Sequence, residues 1–128
     1  MPRQTINSGQ APQPAGPYAQ AVRAGDLLFV SAQLPVDPMT NSLIRSGVRA
    51  QTRRALENIR AIVEAAGGTM ASITRTTVYM KSLDDFAQMN EVYTEFFPND
   101  PPARSTVEVA RLPKDSLLAV DAIAHLGA

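Results

Sequence analysis

Residues 116–124, Ser-Leu-Leu-Ala-Val-Asp-Ala-Ile-Ala, constrain the fold of this chain most, because an extended run of this composition is apolar on both faces. Alternation along a strand sets Leu118, Val120 and Ala122 on one side and Leu117, Ala119, Asp121 and Ile123 on the other. Such a strand needs cover on both faces. The chain offers two helical segments to provide it. In 48–66 the apolar Ala55, Leu56, Ile59, Ile62, Val63 and Ala66 recur at helical spacing. Arg49, Arg53, Glu57, Arg60 and Glu64 take the opposite face, and Gly67-Gly68 supplies a stop. The second helix is announced by Ser82-Leu-Asp-Asp85, read as a capping box, and runs to about Phe96 before Pro98, Pro101 and Pro102. Two helices hide one sheet face, so the sequence predicts oligomerisation through the other.

The remaining segments are extended or irregular. Residues 1–17, with Pro2, Pro12, Pro14, Pro17, Gly9 and Gly16, read as a loop-like segment after a short strand at Arg3 to Asn7, of the kind that lies over a neighbour. Tyr18 to Val22 and Leu27 to Ser31 form a hairpin across Ala24-Gly25-Asp26, and Leu34 to Asn41 follows as a loop. Ile73 to Met80 is a β-branched strand. Arg104 to Ala110 and Ser116 to Ala124 are expected to pair as a closing hairpin across Leu112-Pro113-Lys114-Asp115. The order predicts an α+β sheet with both helices on one face, joined by right-handed crossovers. The stripe of Phe86, Met89, Tyr93 and Phe96 reads as core packing rather than a binding platform.

Composition narrows the chemistry. A length of 128 residues at 45% hydrophobic fits one compact domain over 1–128. Twelve basic residues balance twelve acidic ones, so the electrostatic footprint of a nucleic-acid binder is missing. With no Cys and His125 as the one His, the sequence carries no zinc-ligand set. A Ser-His-Asp triad would need His125 to fold back from a frayed end. No apolar run reaches membrane-spanning length and no secretory pattern opens the chain, so a cytoplasmic location is the expectation. The arginines of the first helix read as a solvated face, and Arg111 as a brace for the turn at Asp115.

The functional pointer is Pro102-Ala-Arg-Ser-Thr-Val-Glu-Val-Ala-Arg-Leu-Pro-Lys-Asp115, which sets Arg104 at the mouth of a β-like run. A planar, permanently charged guanidinium at the start of a strand is a ready anchor for a small carboxylate. An edge-strand arginine on a rim fits the same spacing, and the two readings stand side by side.

Together with Gly16-Pro-Tyr-Ala-Gln-Ala-Val22, Phe29-Val-Ser-Ala-Gln33 and Asn90-Glu-Val-Tyr93, that segment resembles the reactive intermediate deaminase family, the Rid or YjgF type, along essentially the whole chain. The resemblance implies a chorismate-mutase-like α+β fold and a homotrimer with a pocket at each subunit interface. It implies hydrolysis of 2-imino and 2-enamino acids to 2-oxo acids and ammonia, with no metal or organic cofactor. Residue by residue, it makes Arg104 the clamp for the substrate carboxylate and Tyr18 the pocket tyrosine. These two are the candidates for catalysis. Asn90 falls near the cleft, and Ser31 and Thr106 at its walls. Thr106 stands where some members carry Cys, and Ala32 stands in place of a glycine, adding a methyl that restricts substrate size.

The chain departs from the pattern in its last strand. Where the family's deaminases read Glu-Ile-Glu-Ala-Ile-Ala, this chain has Ala119-Val-Asp-Ala-Ile-Ala124, so the glutamate thought to hold the attacking water is Ala119. Asp121 shares its face but is displaced by about 6.6 Å along the strand. The reading from position is that Asp121 makes an ion pair or a capped polar contact at the interface, with a part in positioning water as the alternative. Two functions therefore follow: a deaminase dependent on Arg104, or a catalytically silent trimer that binds small carboxylates. RNA cleavage, an activity of some relatives, finds no support in the charge balance.

Overall fold

The computed structural model describes residues 3–127, so Pro2 of the N-terminal segment lies outside them. The order is β1 (Arg3–Ile6), β2 (Ala21–Ala24), β3 (Leu27–Gln33), β4 (Val36–Asp37), β5 (Ser42–Leu43), α1 (Val48–Ala65), β6 (Ile73–Met80), α2 (Phe86–Phe96), β7 (Ala103–Glu108) and β8 (Leu118–His125). Six strands form one sheet in the order β1-β2-β3-β8-β6-β7, and β4 pairs with β5 as a separate ribbon. β6 and β7 run parallel and the other pairs antiparallel, so the fold is α+β with a mixed sheet.

The apolar last strand takes the centre of the sheet, between β3 and β6, where both faces are covered best. This overturns the expected closing hairpin. β7 does not pair with β8; it runs parallel to β6 at the sheet edge, with Arg104 opposite Thr76. Arg104, Ser105, Thr106 and Glu108 give β7 a polar character that suits an edge, whereas Leu118 to Ala124 would expose too much apolar surface there.

One face carries the core. Leu56, Ile59, Ile62 and Val63 of α1 and Met89 of α2 are buried with Leu28, Val30, Val78, Met80, Leu118 and Val120 of the sheet. Each such side chain contributes roughly 1.5–3 kcal/mol by leaving water. The helices are also tied to each other: Arg49 Nε donates to Glu91 Oε2 at 2.7 Å and Arg53 Nη1 to Glu95 Oε1 at 2.8 Å. The arginine row is the solvated face expected, and two of its members, Arg49 and Arg53, also clasp α2 through exposed ion pairs. The brace on Asp115 is likewise Lys81, at 2.8 Å, where Arg111 was expected.

Local details depart from the sequence reading for identifiable reasons. Tyr18 to Gln20 stay outside β2, because the Gln20 side chain, 1% exposed, is engaged with the preceding loop. The 34–41 stretch holds β4, and Asn41 at φ 59 turns the chain into β5. Ser82 Oγ accepts from Asp84 N–H at 3.1 Å, capping a 3-10 turn over Leu83–Asp85 instead of closing a capping box on α2. His125 lies within β8 opposite Leu27, rather than in a frayed end. On the face away from the helices Leu27, Phe29 and Val107 are 40, 44 and 40% exposed, the uncovered surface anticipated from residues 116–124. Among the described residues no helix is long and apolar enough to cross a membrane.

Candidate functional site

One cavity, of about 550 Å³, opens where β3 leaves the sheet and β8 enters it, and it takes in Tyr18, Ser31, Ala32, Tyr79, Lys114 and Ala119. Its outer wall is held by one buried side chain. Gln20 Oε1 accepts from Ser8 N–H at 2.6 Å, while its Nε2 donates to the carbonyls of Ser8 at 3.1 Å and Pro12 at 2.9 Å. A proline-rich segment with no ladder partners is thereby fixed against the sheet.

The floor is shaped by a bulge. Register between β3 and β8 shifts between Val30 and Gln33, which re-aims Ser31 and Ala32 out of the regular pleat. Ser31 Oγ donates to the Ala19 carbonyl at 2.6 Å and its N–H donates to the Gln20 carbonyl at 2.9 Å. The residue expected to line the wall therefore also anchors the segment that presents Tyr18. The Tyr18 side chain is 53% exposed, and its hydroxyl accepts at 3.5 Å from the Ala15 N–H.

Across the ladder, Ala119 of β8 is opposite Tyr79 of β6, and Asp121 is opposite Thr77. Asp121 Oδ2 accepts from the Tyr79 hydroxyl at 2.8 Å and Oδ1 from the Thr77 N–H at 3.1 Å, so the structural polar contact expected for Asp121 is present. The hydrogen bond to Asp121 is the main cause that raises the Tyr79 pKa, with burial second.

Arg104 lies elsewhere. Its Nη1 donates to Asn90 Oδ1 at 2.8 Å, and the guanidinium sits 4.7 Å from the centre of the Tyr93 ring and 5.5 Å from that of Phe86. α2 provides all three neighbours, because Asn90 and Tyr93 are three residues apart and share a helix face with Phe86. The aromatic stripe is thus divided. Met89 and Tyr93 are buried, as core packing requires, while Phe86, 37% exposed, and the face of Tyr93 form a platform for the arginine. The Tyr93 hydroxyl shares a 2.7 Å hydrogen bond with Thr76 Oγ1, and burial raises its pKa against opposing effects of Thr76 and Arg104. Among the described residues Arg104 makes no ion pair. A second cleft of about 560 Å³ includes Asn90, Tyr93, Pro102 and Arg104.

Five of the six expected site residues fall into two groups. Tyr18, Ser31 and Ala32 come together, with Ala119, in the first cavity; Arg104 and Asn90 come together in the second. Arg104 points to the helical side of the sheet, whereas Ala119 alternates with the core residues Leu118 and Val120 and so points to the open side. Thr106 lines neither; its Oγ1 is buried and without a hydrogen-bond partner. Sequence reasoning missed Tyr79 and Gln20. The signal for Tyr79 was its odd position in β6, which places it on the same face as Ala119 in the neighbouring strand. Gln20 gave none, because only the folded loop surrounds it with carbonyls.

Comparison with known proteins agrees with this fold. The family described as Endoribonuclease L-PSP matches residues 8–126. A RutC family protein of Pyrococcus horikoshii is 49% identical over 96% of this chain and 98% of its own length. A Salmonella typhimurium protein named 2-iminobutanoate/2-iminopropanoate deaminase is 49% identical over 94% of this chain and 95% of its own. Among solved structures, Escherichia coli TdcF with bound serine superposes with a TM-score of 0.92 at 45% identity, covering 95% of this chain and 98% of that one. The Escherichia coli YjgF gene product does so with a TM-score of 0.92 at 46% identity, again over 95% and 98%. The chain belongs to the Rid/YjgF family.

Proposed function

We propose that this protein hydrolyses reactive 2-imino and 2-enamino acids to 2-oxo acids and ammonia, with Arg104 anchoring the substrate carboxylate. The observation that carries the reading is the state of Arg104: oriented by Asn90, stacked on Tyr93, beside an open cleft, and without a carboxylate partner among the described residues. A pre-oriented guanidinium loses little freedom when it takes up a carboxylate in bidentate fashion. The relative named as an imine deaminase and the relative with serine bound support a ligand of amino-acid size.

Chemistry at the imine carbon also needs the Tyr18 cavity, and a single chain turns its two half-sites to opposite faces of the sheet. A homotrimer packed through the open face, which carries Leu27, Phe29 and Val107, and around the β7 edge would join the Arg104 cleft of one protomer to the Tyr18–Ser31–Ala119 cavity of the next. In such an interface pocket Arg104 and Asn90 would hold the carboxylate end, and Tyr18, Ser31 and Ala32 the reacting end.

A second reading is favoured by Ala119, whose methyl supplies no group to orient water: a trimer that binds small carboxylates without turning them over. Both readings are tested by the decay of 2-iminobutyrate generated in situ by a dehydratase, with the native chain, Arg104→Ala and Ala119→Glu. The deaminase reading expects acceleration by the native chain that Arg104→Ala abolishes. An unchanged rate in Arg104→Ala would sink it. No acceleration by the native chain, combined with 2-oxobutyrate binding and a gain in Ala119→Glu, would select the binding module.

A further inference from the structure

Hydrolysis of an imine in the Tyr18 cavity needs a group to receive a proton from the attacking water, yet no Asp or Glu is among the described residues that line that cavity. A carboxylate reaches it at one remove. Tyr79 lines the cavity beside Tyr18 and Ala119, and its hydroxyl donates at 2.8 Å to Asp121 Oδ2, which belongs to the adjoining cavity with Phe29, Arg75 and Thr77. Asp121 is itself immobilised, since its other oxygen accepts from the Thr77 N–H at 3.1 Å. Arg75, the nearby cation of this face, is turned to Ser105 Oγ at 2.7 Å and makes no ion pair with Asp121 among the described residues. With its proton directed at Asp121, the Tyr79 oxygen keeps its lone pairs free to accept from a water in the cavity. Ala119, directly across the ladder, occupies no more than a methyl beside it.

We propose that Tyr79, held by Asp121, is the proton-accepting group for the attacking water, doing from β6 what no side chain of β8 does in this chain. The inference rests on the deaminase reading above. Water oxygen bonds to C2 of the protonated imine as the C=N π electrons move to nitrogen. One water proton passes to the Tyr79 oxygen while the Tyr79 proton passes to Asp121. The neutral carbinolamine that results takes the proton back from this pair onto nitrogen. The carbon–nitrogen bond then breaks as the carbinol oxygen forms the carbonyl, and the hydroxyl proton leaves with ammonia as ammonium. Tyr79 is the catalytic residue of the pair and Asp121 the positioning residue.

The test is steady-state decay of 2-iminobutyrate with the native chain, Arg104→Ala, Tyr79→Phe and Asp121→Asn, alongside 2-oxobutyrate affinity for each. Tyr79→Phe is expected to lower kcat by about 10²-fold, the scale of one general acid–base group, while KM and 2-oxobutyrate affinity stay within about twofold of native because Arg104 still anchors the carboxylate. Asp121→Asn, which keeps the phenol, is expected to lower kcat in the same direction with affinity retained. A native rate in Tyr79→Phe, in a protein whose activity Arg104→Ala abolishes, would overturn the Tyr79 role and leave the deaminase reading standing. A loss of rate and affinity together in Tyr79→Phe would assign the residue to packing and also overturn it. No acceleration by the native chain would overturn both.

Discussion

At the scale of the residue, the site is governed by how each polar group spends its hydrogen bonds. Arg104 spends one on Asn90 and leaves the rest of its fork unpaired, which suits a ligand anchor. Ser31 spends its hydroxyl on the Ala19 carbonyl and so acts first as a fastener. Tyr79 gives its proton to Asp121, and the folded pKa of the phenol is raised above its ordinary value, with that bond the leading cause. A raised phenol pKa means that the neutral form is favoured by folding. The resulting stabilisation is fully present below the unfolded tyrosine value and is lost as pH rises through the folded one. Spectrophotometric titration of phenolate should therefore show Tyr79 ionising later than an unperturbed tyrosine in the native chain and earlier in Asp121→Asn than in native. An unchanged titration in Asp121→Asn would show that burial, and not the bond, holds the proton.

At the scale of the element, the cavity depends on short irregular pieces fastened to regular ones. Asn58 of α1 is fully buried, donates from Nδ2 to the carbonyls of Leu34 at 3.1 Å and Val36 at 2.9 Å, and accepts at Oδ1 from Arg54. It holds β4 and the cavity wall formed by Leu34 and Val36 against the helix. Asn58→Leu should cost about 1–3 kcal/mol, because those carbonyls lose their donors in a buried setting, and urea denaturation reads the loss. A midpoint within error of native would mean that water replaces the amide. α1 and β6 were legible in the sequence almost to the residue, since helical periodicity and β-branched alternation are local signals. The partners of β7 and β8 were not, because both strands are followed or preceded by turn-like residues that fit a hairpin equally well. Only the competition for the covered central slot separates them.

At the scale of the whole molecule, the open face carries Leu27 and Phe29 at its β3 side and Val107 at its β7 edge. If this face packs protomers into the proposed trimer, Phe29→Asp places a charge in the contact and should convert the assembly to monomers, as read by sedimentation equilibrium. 2-Oxobutyrate affinity should fall with it, although Arg104 and Asn90 are untouched. A Phe29→Asp protein that remains oligomeric with native affinity would move the interface to another surface. The candidates Arg104 and Tyr18 were each legible as residues, Arg104 from its motif and Tyr18 from its segment. Their separation onto two faces of the sheet was not.

The sequence by itself determined the types of the main elements, the amphipathic α1 and the apolar character of the last strand on both its faces. These are properties of composition and of spacing over a few residues, where the periods of helix and strand leave little choice. The tertiary structure alone decided that β8 lies between β3 and β6, that β7 runs parallel at the edge, that Arg104 rests on Tyr93 and that Tyr79 links Asp121 to the Tyr18 cavity. Each of these is a contact between residues far apart in the chain. It is selected by which surface each strand can best hide, a comparison that no local stretch of sequence contains.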